Sequence, residues 1–216
     1  FITEEGRKES VRLGELRGSF PSFEKSIWMK RYRAMRNATV TTVAPTGSIS
    51  IIAGCSSGIE PLFAISFMRN VLGGTRLFEV NPLFERIAKE RGFYSAALLE
   101  EIAKTGGVQG MKKVPKDMRR IFKTALDIRP EWHVRMQSAF QKYTDNSVSK
   151  TINLPRNATK DDVRKAFELA YRLRCKGLTV YRYGSKKRQV LYITKPKRVT
   201  AGSEYAGGCP TPVCTF

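Results

Sequence analysis

The β-branched run Thr39-Val40-Thr41-Thr42-Val43 is cut off by Ala44-Pro45-Thr46-Gly47-Ser48, and the apolar stretch Ile49-Ser50-Ile51-Ile52-Ala53-Gly54 follows at once. β-Branched side chains suit a pleated strand, while proline and glycine end it. The chain must therefore leave a strand through a sharp turn at residues 45–48. Signals of the opposite kind recur downstream. Asn81-Pro82, Ser95 and Thr159 each precede apolar residues at helical spacing. Strand and helix signals alternate without an internal repeat, so the expected fold class is α/β, with α+β as the neighbouring solution.

Ser22 is predicted to cap a helix to about residue 36, with Ile27, Trp28, Tyr32 and Met35 on one side. Residues 39–43 and 63–71 read as strands. The helix from Asn81-Pro82 turns Leu83, Phe84, Ile87 and Ala88 inward. The helix after Ser95 uses Leu98, Leu99, Ile102 and Ala103 and stops at Gly106-Gly107. Pro130 opens a helix whose apolar face is Trp132, Met136, Ala139, Phe140 and Tyr143. Residues 150–154 form a short strand. Thr159 caps a helix to about residue 174 with the stripe Val163, Ala166, Phe167, Ala170 and Tyr171. Residues 178–181 and 189–193 are the last strands. Beyond about residue 194, glycine and proline crowd in and the apolar pattern fades. The expected organisation is a folded part, 1–193, and a flexible tail, 194–216.

The 216 residues carry 39 basic and 19 acidic side chains, a net charge of +20. That excess reads either as an anionic partner (nucleic acid, nucleotide or membrane surface) or as solvated helix faces. The basic residues are spread along the chain, densest in Met29-Lys30-Arg31-Tyr32-Arg33 and Ser185-Lys186-Lys187-Arg188. No interleaved aromatic-basic platform and no zinc-finger spacing accompanies them, so charge alone supports a nucleic-acid module. No apolar run approaches the roughly 20 residues of a membrane helix. The opening Phe1-Ile2-Thr3-Glu4-Glu5 lacks the charged and apolar regions of a signal peptide, and the expected location is cytoplasmic. Cys55, Cys175, Cys209 and Cys214 are then expected to be mostly reduced. Cys55 reads as a small buried hydrophobe and Cys175 as structural. His133, the one histidine, has no second imidazole or nucleophile beside it in sequence. Asp161, Asp162, Glu100 and Glu101 read as helix-start or exposed acids. No metal site is indicated.

The turn at residues 45–48 has the makings of an anion site. Gly47 permits close approach of the backbone, and Thr46, Ser48 and Ser50 offer hydroxyls. A helix starting near Ser48 would add free N–H groups and the positive end of its dipole. The plain alternative is a helix cap.

The longer segment from Ala44 to Pro61 resembles a signature of the ribonucleotide reductase large subunit, in which a Pro-Thr-Gly-Ser/Thr turn grips the substrate diphosphate. The resemblance implies that Thr46, Gly47, Ser48 and Ile49 hold phosphate oxygens, with Ser50 a weaker candidate. Residues 143–155, and 176–185 with Gln189-Val190-Leu191, resemble further segments of that family. The resemblance covers about residues 24–193. It implies that this chain is the C-terminal part of a ten-stranded α/β barrel, completed by the upstream part of the same polypeptide. The radical cysteine of the family, in an Asn-Pro-Cys-Gly-Glu loop, is not in this sequence, so the chain should not turn over alone.

Where the oxygen-dependent class has two adjacent tyrosines, Tyr181 is followed by Arg182. That pattern resembles the adenosylcobalamin-dependent class; an oxygen-dependent large subunit stays as the alternative. Tyr181 itself reads as a packed strand aromatic. Cys209 and Cys214 follow Gly207-Gly208 and stand five positions apart. In the family such a terminal pair reduces the active-site disulfide and is itself reduced by a thioredoxin- or glutaredoxin-like partner. Half of a zinc site and an inert tail remain open for the same pair.

Overall fold

The computed structural model describes residues 1–70, 76–185 and 191–192. In chain order the helices are α1 (Ile2–Arg17), α2 (Gly47–Ile52), α3 (Pro82–Glu90), α4 (Ala96–Thr105), α5 (Lys116–Ile121), α6 (Pro130–Gln141) and α7 (Lys160–Arg172). The strands are β1 (Ser66–Asn70), β2 (Arg76–Val80), β3 (Thr151–Leu154), β4 (Thr179–Arg182) and β5 (Leu191–Tyr192). The class is mixed α/β, as the alternating signals require.

Helix starts follow local chemistry. Asn81 accepts from Phe84 N at 2.9 Å, with Pro82 in the first turn, and Ser95 accepts from Leu98 N at 3.1 Å. Gly106 ends α4 in the left-handed region, with φ 78°. Thr159 and Asp162 form a reciprocal capping box at α7.

α1 carries little apolar signal, because it buries small polar residues. Ser10 and Gly14 face the backbone of residues 35–37. Arg36 N donates to Ser10 O at 2.8 Å, and Asn37 N donates to Ser10 Oγ at 2.8 Å. A Cβ on Gly14 would lie 2.6 Å from Met35 N, so only glycine allows the approach.

The helix predicted from Ser22 to residue 36 does not form. Two 3-10 turns, Phe23–Lys25 and Ile27–Lys30, take its place. Ser26 is extended between them and caps the second turn through Trp28 N at 3.2 Å. Met35 is buried while Ile27 is exposed, so the apolar residues do not share one face. Residues 39–43 are extended but join no ladder beyond one parallel bridge, Val43 to Val148. Side chains take the place of ladder partners there: Val40 N donates to Asp145 Oδ2 at 2.9 Å, and Asp145 N donates to Thr41 Oγ1 at 3.0 Å.

β3 and β4 pair in parallel, Thr151 opposite Thr179 through Leu154 opposite Arg182. Ile152 and Leu154 point into a core with Val134 of α6 and Ala166 and Ala170 of α7. A second core joins Phe84, Ala88, Leu98, Ile102, Val108, Met118 and Phe122 of α3 to α5 and their connections. Phe84 and Phe122 meet edge to face, with centroids 5.2 Å apart. β1 lies between β2 and β5 and is antiparallel to both.

The predicted inward face of α6 is the wrong one. Trp132, Met136, Phe140 and Tyr143 are exposed, and His133, Val134, Gln137, Ser138 and Gln141 are buried. The buried polar side chains satisfy loop and strand-end carbonyls. Gln137 Nε2 donates to Val148 O and Gly177 O, Ser138 Oγ to Leu173 O, and Gln141 Nε2 to Thr144 O and Asn146 O. On α7 only the alanines of the predicted stripe are buried; Phe167 and Tyr171 are exposed. No helix among the described residues is long and apolar enough to cross a membrane.

Phe84 has no exposed surface and contacts both Phe93 and Phe122. Phe84→Ala is expected to destabilise the protein by about 3–5 kcal/mol, read from the shift of its urea unfolding midpoint.

Candidate functional site

The turn that leaves residues 39–43 is built on a strained residue. Thr46 has φ 53°, in the left-handed region that a β-branched residue rarely enters. A second segment holds it there. Gly58 N donates to Thr46 Oγ1 at 2.9 Å, the Ser57 hydroxyl lies 3.4 Å from the same oxygen, and Ser57 Oγ donates to Pro45 O. Gly58 is itself left-handed, with φ 51°, and a Cβ there would stand 3.1 Å from Ala44 O.

α2 starts directly from this turn. Its first helical bond is Ser50 N to Thr46 O at 3.0 Å, so the N–H groups of Gly47, Ser48 and Ile49 have no acceptor within the helix. Gly47, Ser48 and Ile49 are exposed and Thr46 is half-buried. A Cβ at Gly47 would meet nothing within 4 Å, so the space beside Gly47 is open. Ser50 differs from its neighbours. It is buried, and its hydroxyl donates to Gly47 O at 3.0 Å, which makes it part of the scaffold. The structure thus brings Thr46, Gly47, Ser48 and Ile49 together at one open turn and directs the Ser50 side chain inward.

Both ends of this loop are fastened to the segment that leads into β3. At the entry, Val43 N donates to Ser147 O at 3.4 Å and Ser149 N donates to Val43 O at 2.8 Å. At the exit, Glu60 Oε2 lies 3.1 Å from Lys150 Nζ, and the other carboxylate oxygen accepts from Thr151 N. Beside the entry lies a cavity of about 360 Å³ whose walls include Val43, Pro45, Gln137, Ser149 and Leu178. Sequence reasoning singled out neither Glu60 nor Lys150, nor Ser57 or Gly58 of the clasp. Their roles depend on contacts between residues 11 to 91 positions apart, which no local pattern encodes.

His133 is buried, with Nε2 donating to Ala125 O at 3.0 Å, and Nδ1 is buried without a hydrogen-bond partner. Burial is the main cause holding its proton affinity below the usual imidazole value. Cys55 is exposed after α2, not the buried hydrophobe expected. Cys175 is half-buried against the β3–α7 core, and burial pushes its thiol up, which makes it a poor nucleophile. Tyr181 sits in β4 opposite Asn153 and is half-buried. Cys209 and Cys214 lie outside the described residues. Among the described residues, no group of three or more His, Cys, Asp or Glu side chains could hold a metal ion.

Comparison with known proteins adds an independent line. The profile of the ribonucleotide reductase barrel domain matches residues 29–181. A vitamin B12-dependent ribonucleoside-diphosphate reductase of Mycobacterium tuberculosis (strain ATCC 25618 / H37Rv) is 49% identical over 217 residues, covering 100% of this chain and 30% of that protein. A protein of the same description from Thermoplasma acidophilum is 52% identical over 191 residues, covering 88% of this chain and 25% of its own length. The chain therefore spans under a third of these relatives. The alpha subunit of an Actinobacillus ureae class Id ribonucleotide reductase superposes with a TM-score of 0.67 at 23% identity, over 84% of this chain and 32% of that one. That likeness establishes a shared fold.

Two outcomes follow from the geometry. Gly58→Ala forces a side chain into a left-handed position against Ala44 O, at a cost of about 1–3 kcal/mol. Hydrogen exchange at residues 46–50 is expected to accelerate while the α3–α4 core keeps its protection. The second concerns pH. His133 binds its proton less readily in the fold than in the unfolded chain, so its stabilising contribution is complete above its ordinary value of 6.5 and is lost as pH falls below it. The urea midpoint should drop more steeply below pH 6.5 in the parent than in His133→Gln.

Proposed function

The chain belongs to the ribonucleotide reductase barrel-domain family, and from that premise we propose that it is the phosphate-holding part of a cobalamin-dependent reductase that converts ribonucleotides to deoxyribonucleotides. Residues 1–193 serve as the C-terminal part of the catalytic barrel, and residues 194–216 carry the reducing cysteines. The observation that carries this reading is the Thr46 turn. It leaves three helix-start N–H groups without an acceptor in the helix, beside the exposed Ser48, and such donors suit phosphate oxygens. The names of the two relatives at 49% and 52% identity favour a ribonucleoside diphosphate over a triphosphate.

In the reaction, a thiyl radical on a cysteine of the upstream polypeptide abstracts a ribose hydrogen. The 2′-hydroxyl leaves as water, and two thiols become a disulfide as they supply two electrons and two protons. Thr46, Gly47, Ser48 and Ile49 fix the phosphate end so that the ribose stays in register, while Ser50 braces the turn from within. Cys209 and Cys214 then take over the disulfide by exchange through a mixed disulfide, and a thioredoxin- or glutaredoxin-like protein restores them. Adenosylcobalamin supplies the radical when bound. Among the described residues the one imidazole is turned inward onto Ala125 O and is not offered to a metal. The cofactor is accordingly assigned to the upstream part of the polypeptide. The enzyme works in the cytoplasm.

The test is reduction of a ribonucleoside diphosphate by the full-length polypeptide, with and without adenosylcobalamin. Activity is expected only with the cofactor. Ser48→Ala should raise KM about tenfold, the worth of one hydrogen bond to a charged group. Cys209→Ser/Cys214→Ser should abolish turnover driven by thioredoxin and spare turnover driven by dithiothreitol. Activity that ignores the cofactor and needs a separate radical subunit would move the chain to the oxygen-dependent class and overturn the proposal.

A further inference from the structure

The exit of the phosphate loop is held by an ion pair that the reaction outlined above does not use. The Lys150 side chain is only 2% exposed, and its ammonium lies 3.1 Å from Glu60 Oε2. A buried ammonium must keep a counter-charge or lose its proton. The second carboxylate oxygen of Glu60 accepts from Thr151 N, the first amide of β3. One side chain thus neutralises a buried cation and joins the start of a core strand.

From Glu60 the contacts lead directly back to the phosphate turn. Glu60 N donates to Ser57 O at 2.9 Å. Ser57 Oγ donates to Pro45 O, and the next residue, Gly58, donates its N–H to Thr46 Oγ1 at 2.9 Å. Thr46 O in turn accepts the first helical bond of α2, from Ser50 N at 3.0 Å. Every link from Lys150 to the start of α2 is a hydrogen bond, an ion pair or a covalent step. The strain at Thr46, with φ 53°, has to be opposed by contacts of this kind or the turn would relax.

We propose that Glu60, braced by Lys150, is a positioning residue for the substrate phosphates: it pins the 57–60 clasp to β3 and thereby fixes where the amides of Gly47, Ser48 and Ile49 point. Glu60 itself touches no substrate. This inference rests on the phosphate-loop reading above and adds to it the device that preorganises the loop.

The experiment measures binding of a ribonucleoside diphosphate and of inorganic pyrophosphate to the full-length polypeptide, alongside steady-state kinetics. Glu60→Gln keeps the shape and removes the charge. It is expected to weaken both ligands about tenfold or more and to raise KM by a like factor, with kcat changed less than twofold. Glu60→Asp, which keeps the charge, should recover part of the loss.

A purely structural pair would behave differently, and Glu60→Met/Lys150→Met separates the two, because methionine at 60 keeps the bulk but offers Thr151 N no acceptor. Removing both charges relieves the unpaired ammonium and should restore thermal stability towards the parent. Affinity for pyrophosphate should stay low, because the clasp has lost its anchor. Recovery of affinity together with stability would overturn the proposal. The double variant also serves if Glu60→Gln alone fails to fold. Ser48→Ala is the control for the underlying reading. Weakened binding in Ser48→Ala with parent-like binding in Glu60→Gln would sink the clasp and leave the phosphate loop standing. Parent-like binding in Ser48→Ala would place the phosphates elsewhere and overturn both.

Discussion

A lysine ammonium inside a protein needs an anion, and Lys150 finds it in Glu60. The consequence is geometric as well as electrostatic. Lys150 immediately precedes β3, whose Ile152 and Leu154 lie in the core beneath α6 and α7. Glu60 ends a clasp whose other contacts fall on Pro45 and Thr46. An exposed turn is thereby referred to a core strand through an ion pair and a backbone hydrogen bond. The entry of the same loop is fixed two residues upstream, by Val43 between Ser147 and Ser149. A loop held at both ends by one segment keeps its position even though its own residues 47–49 pack against little.

α6 supports the same arrangement from behind, and it does so with polar side chains. Val148 O, Gly177 O and Asn146 O belong to the connections that bring the parallel segments into line, and Gln137 and Gln141 donate to them. Such carbonyls lie at strand ends, outside any ladder, and would be costly to bury unpaired. A helix that must answer them has to turn glutamine and serine inward. The apolar residues Trp132, Met136 and Phe140 are then left on the opposite side.

That reversal shows where the sequence was readable. The caps at Asn81, Ser95 and Thr159 depend on atoms three residues away, and each is found where the sequence places it. The turn at residues 45–48 was legible for the same reason, since Pro45-Thr46-Gly47-Ser48 is a local motif followed by a short helix. Where partners are distant, periodicity misled. The apolar spacing of residues 27–35 suggested one helix, yet Ser26 breaks the segment and Met35 is buried against α1. α1 itself went unpredicted because its buried side consists of Ser10 and Gly14, which no hydrophobicity count would mark. Glu60 and Lys150 fall in the same group: nothing near either residue announces the other.

The choice of threonine at the left-handed position completes the physical picture. Glycine would enter that region without strain, as Gly58 does opposite it. Glycine would also leave Gly58 N without its acceptor and the clasp without its nearest hold on the turn. Threonine accepts backbone strain in return for a side-chain oxygen fixed at 2.9 Å from that amide. The strain is sustained because the surrounding contacts over-determine it: α2 begins on Thr46 O, Ser57 holds Pro45 O, and Glu60 holds the clasp to β3. A turn built this way has its donors aimed before any ligand arrives, so a ligand bound there need not order the loop that receives it.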